Sequence, residues 1–145
     1  MSKVVCDTSC LIFLEAIDSL NYLNLLFEEI LITKEVAIEF GSVPSWINVN
    51  KLNPSNINNP LISLGKGESS SIRLALEIKP TYLILDDKKA RKEALKFNLS
   101  VIGSLGVLLI AKKNGLMYDT ENLIEKIRLT NFRINSNLLQ LLKDN

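Results

Sequence analysis

Tyr82-Leu83-Ile84-Leu85-Asp86-Asp87-Lys88-Lys89-Ala90-Arg91 lies past the middle of the chain and sets out one structural unit. A short, continuous apolar run of this kind reads as a strand over Tyr82–Leu85, buried on both faces of a parallel sheet. It stops abruptly at two carboxylates. The residues after it, Lys88 to Phe97, read as a helix with a basic face. Upstream, Glu68 to Ile78 has apolar residues at helical spacing, and Pro80 stands just beyond its end.

The same grammar recurs towards both termini. Lys3–Cys6 is an apolar strand that stops at Asp7, and residues 9–17 follow as a helix. Residues 21–27 form another helix and 29–32 a second strand. Thr33 then caps a helix over Lys34–Phe40, which Gly41 ends. Residues 47–49 and 100–102 read as short strands. Gly103-Ser104-Leu105-Gly106 opens a helix through Lys113, and two further helices are predicted over 121–129 and 136–142. The asparagine-rich stretch 53–60 reads as a loop and the best place for a mobile flap. Strands separated by helices predict parallel βαβ units in a three-layer α/β/α sandwich with a central parallel sheet. The length of 145 residues suits one domain, taken as residues 1–145.

Ligand sites in such folds form beyond the carboxyl ends of the strands. Asp7 and the Asp86-Asp87 pair stand there. Glu68, in the first turn of its helix, starts at the same edge, and Glu39 lies at the end of a helix that could point back over it. Clustered carboxylates repel and raise one another's pKa unless a cation compensates. A set of oxygen ligands points to Mg2+ or Mn2+, which can activate a water and stabilise phosphate during in-line attack. Each residue also has an ordinary structural use. Asp7 or Asp87 could cap a helix, Glu68 could favour a helix dipole, and Glu39 could be a surface glutamate.

Composition narrows the chemistry. The chain contains no histidine, which excludes Ser-His-Asp and Cys-His triads and the histidine acid–base pair of metal-free ribonucleases. Two cysteines, Cys6 and Cys10, cannot build a four-ligand zinc site. Reduced thiols, the lack of a recognisable signal peptide and the lack of an apolar run of roughly 18 residues lead to an expected cytoplasmic location without a membrane span. Net charge is +1, yet residues 1–87 hold six basic and eleven acidic side chains and residues 88–145 hold eleven and five. An acidic part for cations and a basic part for phosphates suits a nucleic-acid enzyme, although both could be solvated faces. Lys88, Lys89, Arg91 and Lys92 are the candidate contacts to a nucleic-acid backbone, or else a solvated helix face. Ser9, beside Asp7, and Ser104, at the Gly-Ser-Leu-Gly turn, are candidate supporting hydroxyls. Tyr82 and Trp46 read as core, and Cys6 should point inward. Gly65-Lys66-Gly67-Glu68-Ser69 lacks the order of a phosphate-binding loop, which rejects an NTPase.

Four segments together resemble the PIN-domain nucleases. They are Val4-Val5-Cys6-Asp7-Thr8-Ser9, Thr33 to Phe40 with Glu39 three residues after Val36, Gly67-Glu68 through Ala75, and Leu85-Asp86-Asp87 through Arg91. Val101-Ile102-Gly103-Ser104-Leu105-Gly106 matches a stretch of the branch similar to VapC-type toxins. The resemblance runs over roughly residues 3 to 140. It implies a PIN fold, Mg2+- or Mn2+-dependent hydrolysis of RNA phosphodiesters, a small antitoxin partner and a homodimer. By position it assigns Asp7, Glu39 and Glu68 to the family's acidic sites, and the fourth to Asp86 or Asp87. The third position is glutamate here, where many VapC-type toxins carry aspartate. The contrasting reading is a non-catalytic RNA- or protein-binding module on the same fold, with carboxylates too far apart to share a cation. A receiver-like phosphoacceptor is disfavoured, because the paired aspartates follow an inner strand and not the first.

Overall fold

The apolar runs assemble into one five-stranded sheet in the computed structural model, which describes residues 2–50 and 64–144. The strands are β1 (Lys3–Cys6), β2 (Glu29–Thr33), β3 (Ile47–Asn50), β4 (Tyr82–Ile84) and β5 (Val101–Ile102). Every pairing is parallel, in the order β3-β2-β1-β4-β5. The helices are α1 (Thr8–Ala16), α2 (Asn21–Leu26), α3 (Lys34–Phe40), α4 (Lys66–Ile78), α5 (Lys88–Leu95), α6 (Ser104–Lys113), α7 (Thr120–Arg128) and α8 (Ser136–Lys143). The expected loop at 53–60 lies outside the described residues.

Alternation along the strands fills two cores. Val4, Cys6, Ile30, Ile32 and Ile84 face one side, against α1, α2, α6, α7 and α8. Val5, Leu31, Leu83 and Leu85 face the other, against Ile72 and Leu74 of α4 and Ala90 and Ala94 of α5. The sheet is thus buried on both faces, as its continuous apolar strands require. Helices on both faces give the three-layer arrangement expected. Cys6 is fully buried, and Tyr82 and Trp46 pack against the core, as their sequence context predicts.

Several boundaries differ by a residue or two. Helix α4 begins at Lys66, so Gly67 lies inside its first turn and does not precede it. Helix α5 ends at Leu95, because Asn98 adopts a left-handed backbone (φ 60°) that the helix cannot continue through. Thr33 caps α3 as expected, accepting from the Val36 amide at 3.1 Å, and Gly41 (φ 96°) follows its last turn.

The strand order places β1 and β4 side by side, with Cys6 opposite Ile84. From β1 the chain moves out to β2 and β3. It then returns past β1 to add β4 and β5 on the other side. This change of direction opens a crevice at the carboxyl ends of β1 and β4, the place where open α/β sheets bind ligands.

Candidate active site

Asp7 enters the crevice on the last hydrogen bond of β1, its amide donating to the Ile84 carbonyl at 3.1 Å. It stands at the N-cap of α1, yet its side chain makes no capping bond. The carboxylate is 2% exposed. Its Oδ2 accepts from Ser9 Oγ at 3.3 Å, whereas Oδ1 is buried with no hydrogen-bond partner. An orphaned buried acceptor costs about 1–3 kcal/mol, as much as burying a large apolar side chain returns. Burial raises the Asp7 pKa from 3.8 to about 6. The Thr8 amide and Ser9 oppose the rise, while Glu68 and Glu39 add to it. A buried, unpaired oxygen among like charges is the environment that a cation relieves.

Helices α3 and α4 bring the next two carboxylates. Glu39, in the last turn of α3, accepts from Thr8 Oγ1 at 3.1 Å and stays exposed. Gly67 lets it come so close to Asp7. A Cβ on Gly67 would stand 2.3 Å from Glu39 Oε1, 3.0 Å from Thr8 Oγ1 and 3.2 Å from Asp7 Oδ1. A 2.7 Å bond between Thr33 Oγ1 and Ser70 Oγ ties the start of α3 to α4. Glu68 is half-buried and accepts from the Gly65 amide at 3.1 Å, which closes the first turn of α4. Its pKa is raised, first by burial and then by Asp87 and Glu39, against the Gly65 amide.

The paired aspartates after β4 separate. Asp86 turns to α6. Its Oδ1 accepts from the Ser104 amide at 2.7 Å and its Oδ2 from Ser104 Oγ. Gly103 leaves the room, since a Cβ there would lie 2.8 Å from Asp86 Oδ1 and 3.5 Å from Arg91 Nη1. Asp87 caps α5, accepting from the Ala90 amide at 2.8 Å, and it also interacts with Glu68. The ordinary capping role therefore holds for Asp87 and fails for Asp7.

Asp7, Ser9, Glu39, Glu68, Asp86 and Asp87 all line one cleft. Ser104 lines a smaller recess that adjoins it at Asp86. Lys88 and Arg91 line the cleft too, whereas Lys89 is exposed on α5 and outside its lining. Among the described residues, no three acidic or thiol side chains stand close enough to enclose one ion. Mg2+ needs fewer, since it is usually held by one or two carboxylates and keeps waters or phosphates for the remainder. Asp7, with its unpaired oxygen and Glu39 and Glu68 as neighbours, fits that mode.

Sequence reasoning missed other parts of the site. Gly67 and Gly103 carry no side chain to signal their role, whereas Lys92, a candidate from the sequence, does line the cleft. Phe132, Arg133, Ile134 and Asn135 between α7 and α8 also line the cleft, yet they belong to no motif or periodic run.

The PIN-domain family model matches residues 3–144. Among solved structures, the chain is similar to a PilT N-terminus domain protein from the hyperthermophilic archaeon Sulfolobus solfataricus P2. The two share 20% identity over 82% of this chain and 97% of that one, with a TM-score of 0.50, a likeness of fold. No curated protein matches the sequence.

Proposed function

The chain belongs to the PIN-domain family, a fold that generally serves metal-dependent nucleases, and from that premise we propose that it is an endoribonuclease dependent on Mg2+ or Mn2+. The observation that carries this reading is the unpartnered, buried Oδ1 of Asp7 at the mouth of the β1–β4 crevice, with Glu39 and Glu68 beside it. In this reading Asp7 and Glu68 would hold the metal directly, and Asp86 and Asp87 would reach it through its bound waters. When bound, the ion supplies an activated water and charge neutralisation at the scissile phosphate. Ser9 steadies the Asp7 carboxylate, and Ser104 fixes the direction of Asp86. Glu39, exposed and hydrogen-bonded to Thr8, orients water at the open side. Lys88 and Arg91 contact the RNA backbone along the cleft rim, with Lys89 extending that basic face. The histidine-free composition supports the reading, because it leaves carboxylates to run any hydrolysis.

The similarity to VapC-type sequences extends the proposal. The enzyme acts as the toxin of a toxin–antitoxin pair, as a homodimer held inactive by a small protein partner. Among the described residues, no helix is long and apolar enough to cross a membrane.

A second reading, a non-catalytic binding module, draws on the spacing of the carboxylates, no three of which enclose a single point among the described residues. One assay separates the two. Single-stranded RNA is incubated with the wild type and with Asp7→Asn in Mn2+, Mg2+ or EDTA. The nuclease reading expects cleavage by the wild type that EDTA stops and Asp7→Asn abolishes. Equal cleavage by both proteins rejects this site, and RNA binding without cleavage in any ion favours the binding module.

A further inference from the structure

A recess adjoins the carboxylate cleft at Asp86, and most of its lining lies outside the acidic cluster. Its volume is about 130 Å3, well below the roughly 300 Å3 at which pockets begin to enclose whole small ligands. It has room for one flat ring system. Its apolar side includes Phe13, Phe132, Ile134 and Leu138. Phe132 is half-buried and meets the buried ring of Phe13 edge-to-face, with centroids 5.0 Å apart at 72°. This packing fixes an aromatic side chain in the loop between α7 and α8, where it lines both recess and cleft.

The polar side of the recess complements the ring. Arg91 and Arg133 line it and the cleft alike, so cationic groups flank the aromatic surface. Asn135 commits its Oδ1 to capping α8, accepting from the amides of Asn137 and Leu138 at 2.9 and 3.2 Å. Its Nδ2 amide remains a hydrogen-bond donor on a residue that lines the recess. An aromatic face, guanidinium groups and an amide donor are the components with which proteins read unpaired bases. A base inside a duplex is stacked on its neighbours and unable to enter so small a space.

We propose that this recess takes one unpaired nucleobase, next to a backbone phosphate that Arg91 and Arg133 contact, with Phe132 as its stacking platform. The inference rests on the nuclease reading for its substrate. Phe132 and Asn135 become specificity-determining residues.

The test uses wild-type protein in EDTA and a fluorescent single-stranded RNA oligonucleotide, with binding followed by anisotropy. Each nucleotide is made abasic in turn. One position should lose about ten-fold in affinity and the others little, since a single base–aromatic stack is worth that much. A uniform response along the strand overturns the proposal. In a second arm, Phe132→Leu should lose about ten-fold for the single strand and Phe132→Trp should retain it. Neither should change binding to a duplex. Thermal unfolding is recorded for each variant, because Phe132 packs on Phe13. Equal affinities of the Leu and Trp variants, both folded, also overturn the proposal. Cleavage of the same oligonucleotide in Mn2+ is scored separately. Its absence removes the nuclease reading, whereas the two binding arms decide the base site.

Discussion

Asp7 carries the cost of the site, and its pH dependence has a definite sign. Its pKa is about 6 in the folded chain against 3.8 ordinarily. Between those values the folded chain keeps the proton while the unfolded chain has lost it. Stability of the metal-free protein therefore falls as pH rises through this window, by about 3 kcal/mol in total. Above it the full penalty is present. Asp7→Asn removes the ionisable group, so in EDTA near neutral pH the variant should melt above the wild type. The difference should vanish as the pH falls towards 4. Mn2+ should raise the wild-type midpoint and leave the variant unmoved. Thermal unfolding across this pH range, with and without Mn2+, checks all three. A variant that melts below the wild type at every pH would mean that Asp7 is held by contacts other than those seen.

At the scale of elements, the first turn of α4 is where helix stability and site geometry conflict. Glycine inside a helix costs about 1 kcal/mol relative to alanine. Gly67 is nonetheless needed, because a Cβ would enter the gap between Asp7 and Glu39. The Glu39 carboxylate is exposed and can swing aside, but buried Thr8 and Asp7 would crowd the new Cβ at 3.0 and 3.2 Å. This crowding offsets the better helix former, so Gly67→Ala should leave the melting temperature within a few degrees of the wild type. The metal-dependent cleavage rate should fall by about ten-fold or more, because the displaced Glu39 no longer faces Asp7. Unfolding and cleavage measured on the same preparation test this split, and full activity in the variant would show that the gap has no catalytic use. The same elements show where sequence reading falls short. The cap of α3 at Thr33 was legible because a short polar side chain before an amphipathic run has one common use. The start of α4 was not, because Gly65 offers no side chain and the bond that closes the turn comes from Glu68.

On the scale of the whole molecule, the charge asymmetry of the sequence becomes a spatial arrangement. The acidic half supplies Asp7, Glu39, Glu68, Asp86 and Asp87 to the cleft lining. The basic half supplies Lys88, Arg91, Lys92 and Arg133 on its walls. RNA that lies in this cleft should bind with a clear dependence on salt. Three to four phosphate contacts predict a slope of log affinity against log salt concentration of about −2 to −3 for a single strand. Removing Arg133 should reduce the slope by nearly one contact. Anisotropy titrations over a range of KCl concentrations measure it, and a slope near zero would place RNA elsewhere.

The order of strands and helices, the two-faced burial of the sheet and the position of acidic residues at strand ends were all legible in the one-dimensional pattern. Apolar runs such as Leu83-Ile84-Leu85 have few ways to leave water, and two of them, those of β1 and β4, run directly into carboxylates. Local chemistry could not distinguish residues whose immediate surroundings look alike. Asp86 and Asp87 are neighbours with the same side chain, and only the approach of Ser104 from α6 and of Ala90 from α5 assigns them different partners. Asp7 and Asp87 both precede a helix, yet one caps it and the other turns its free oxygen to the crevice. The wall from Phe132 to Asn135 reaches the site from over forty residues beyond Asp86, through packing on Phe13. Such long-range contacts arise from filling the core, and no spacing along the chain records them.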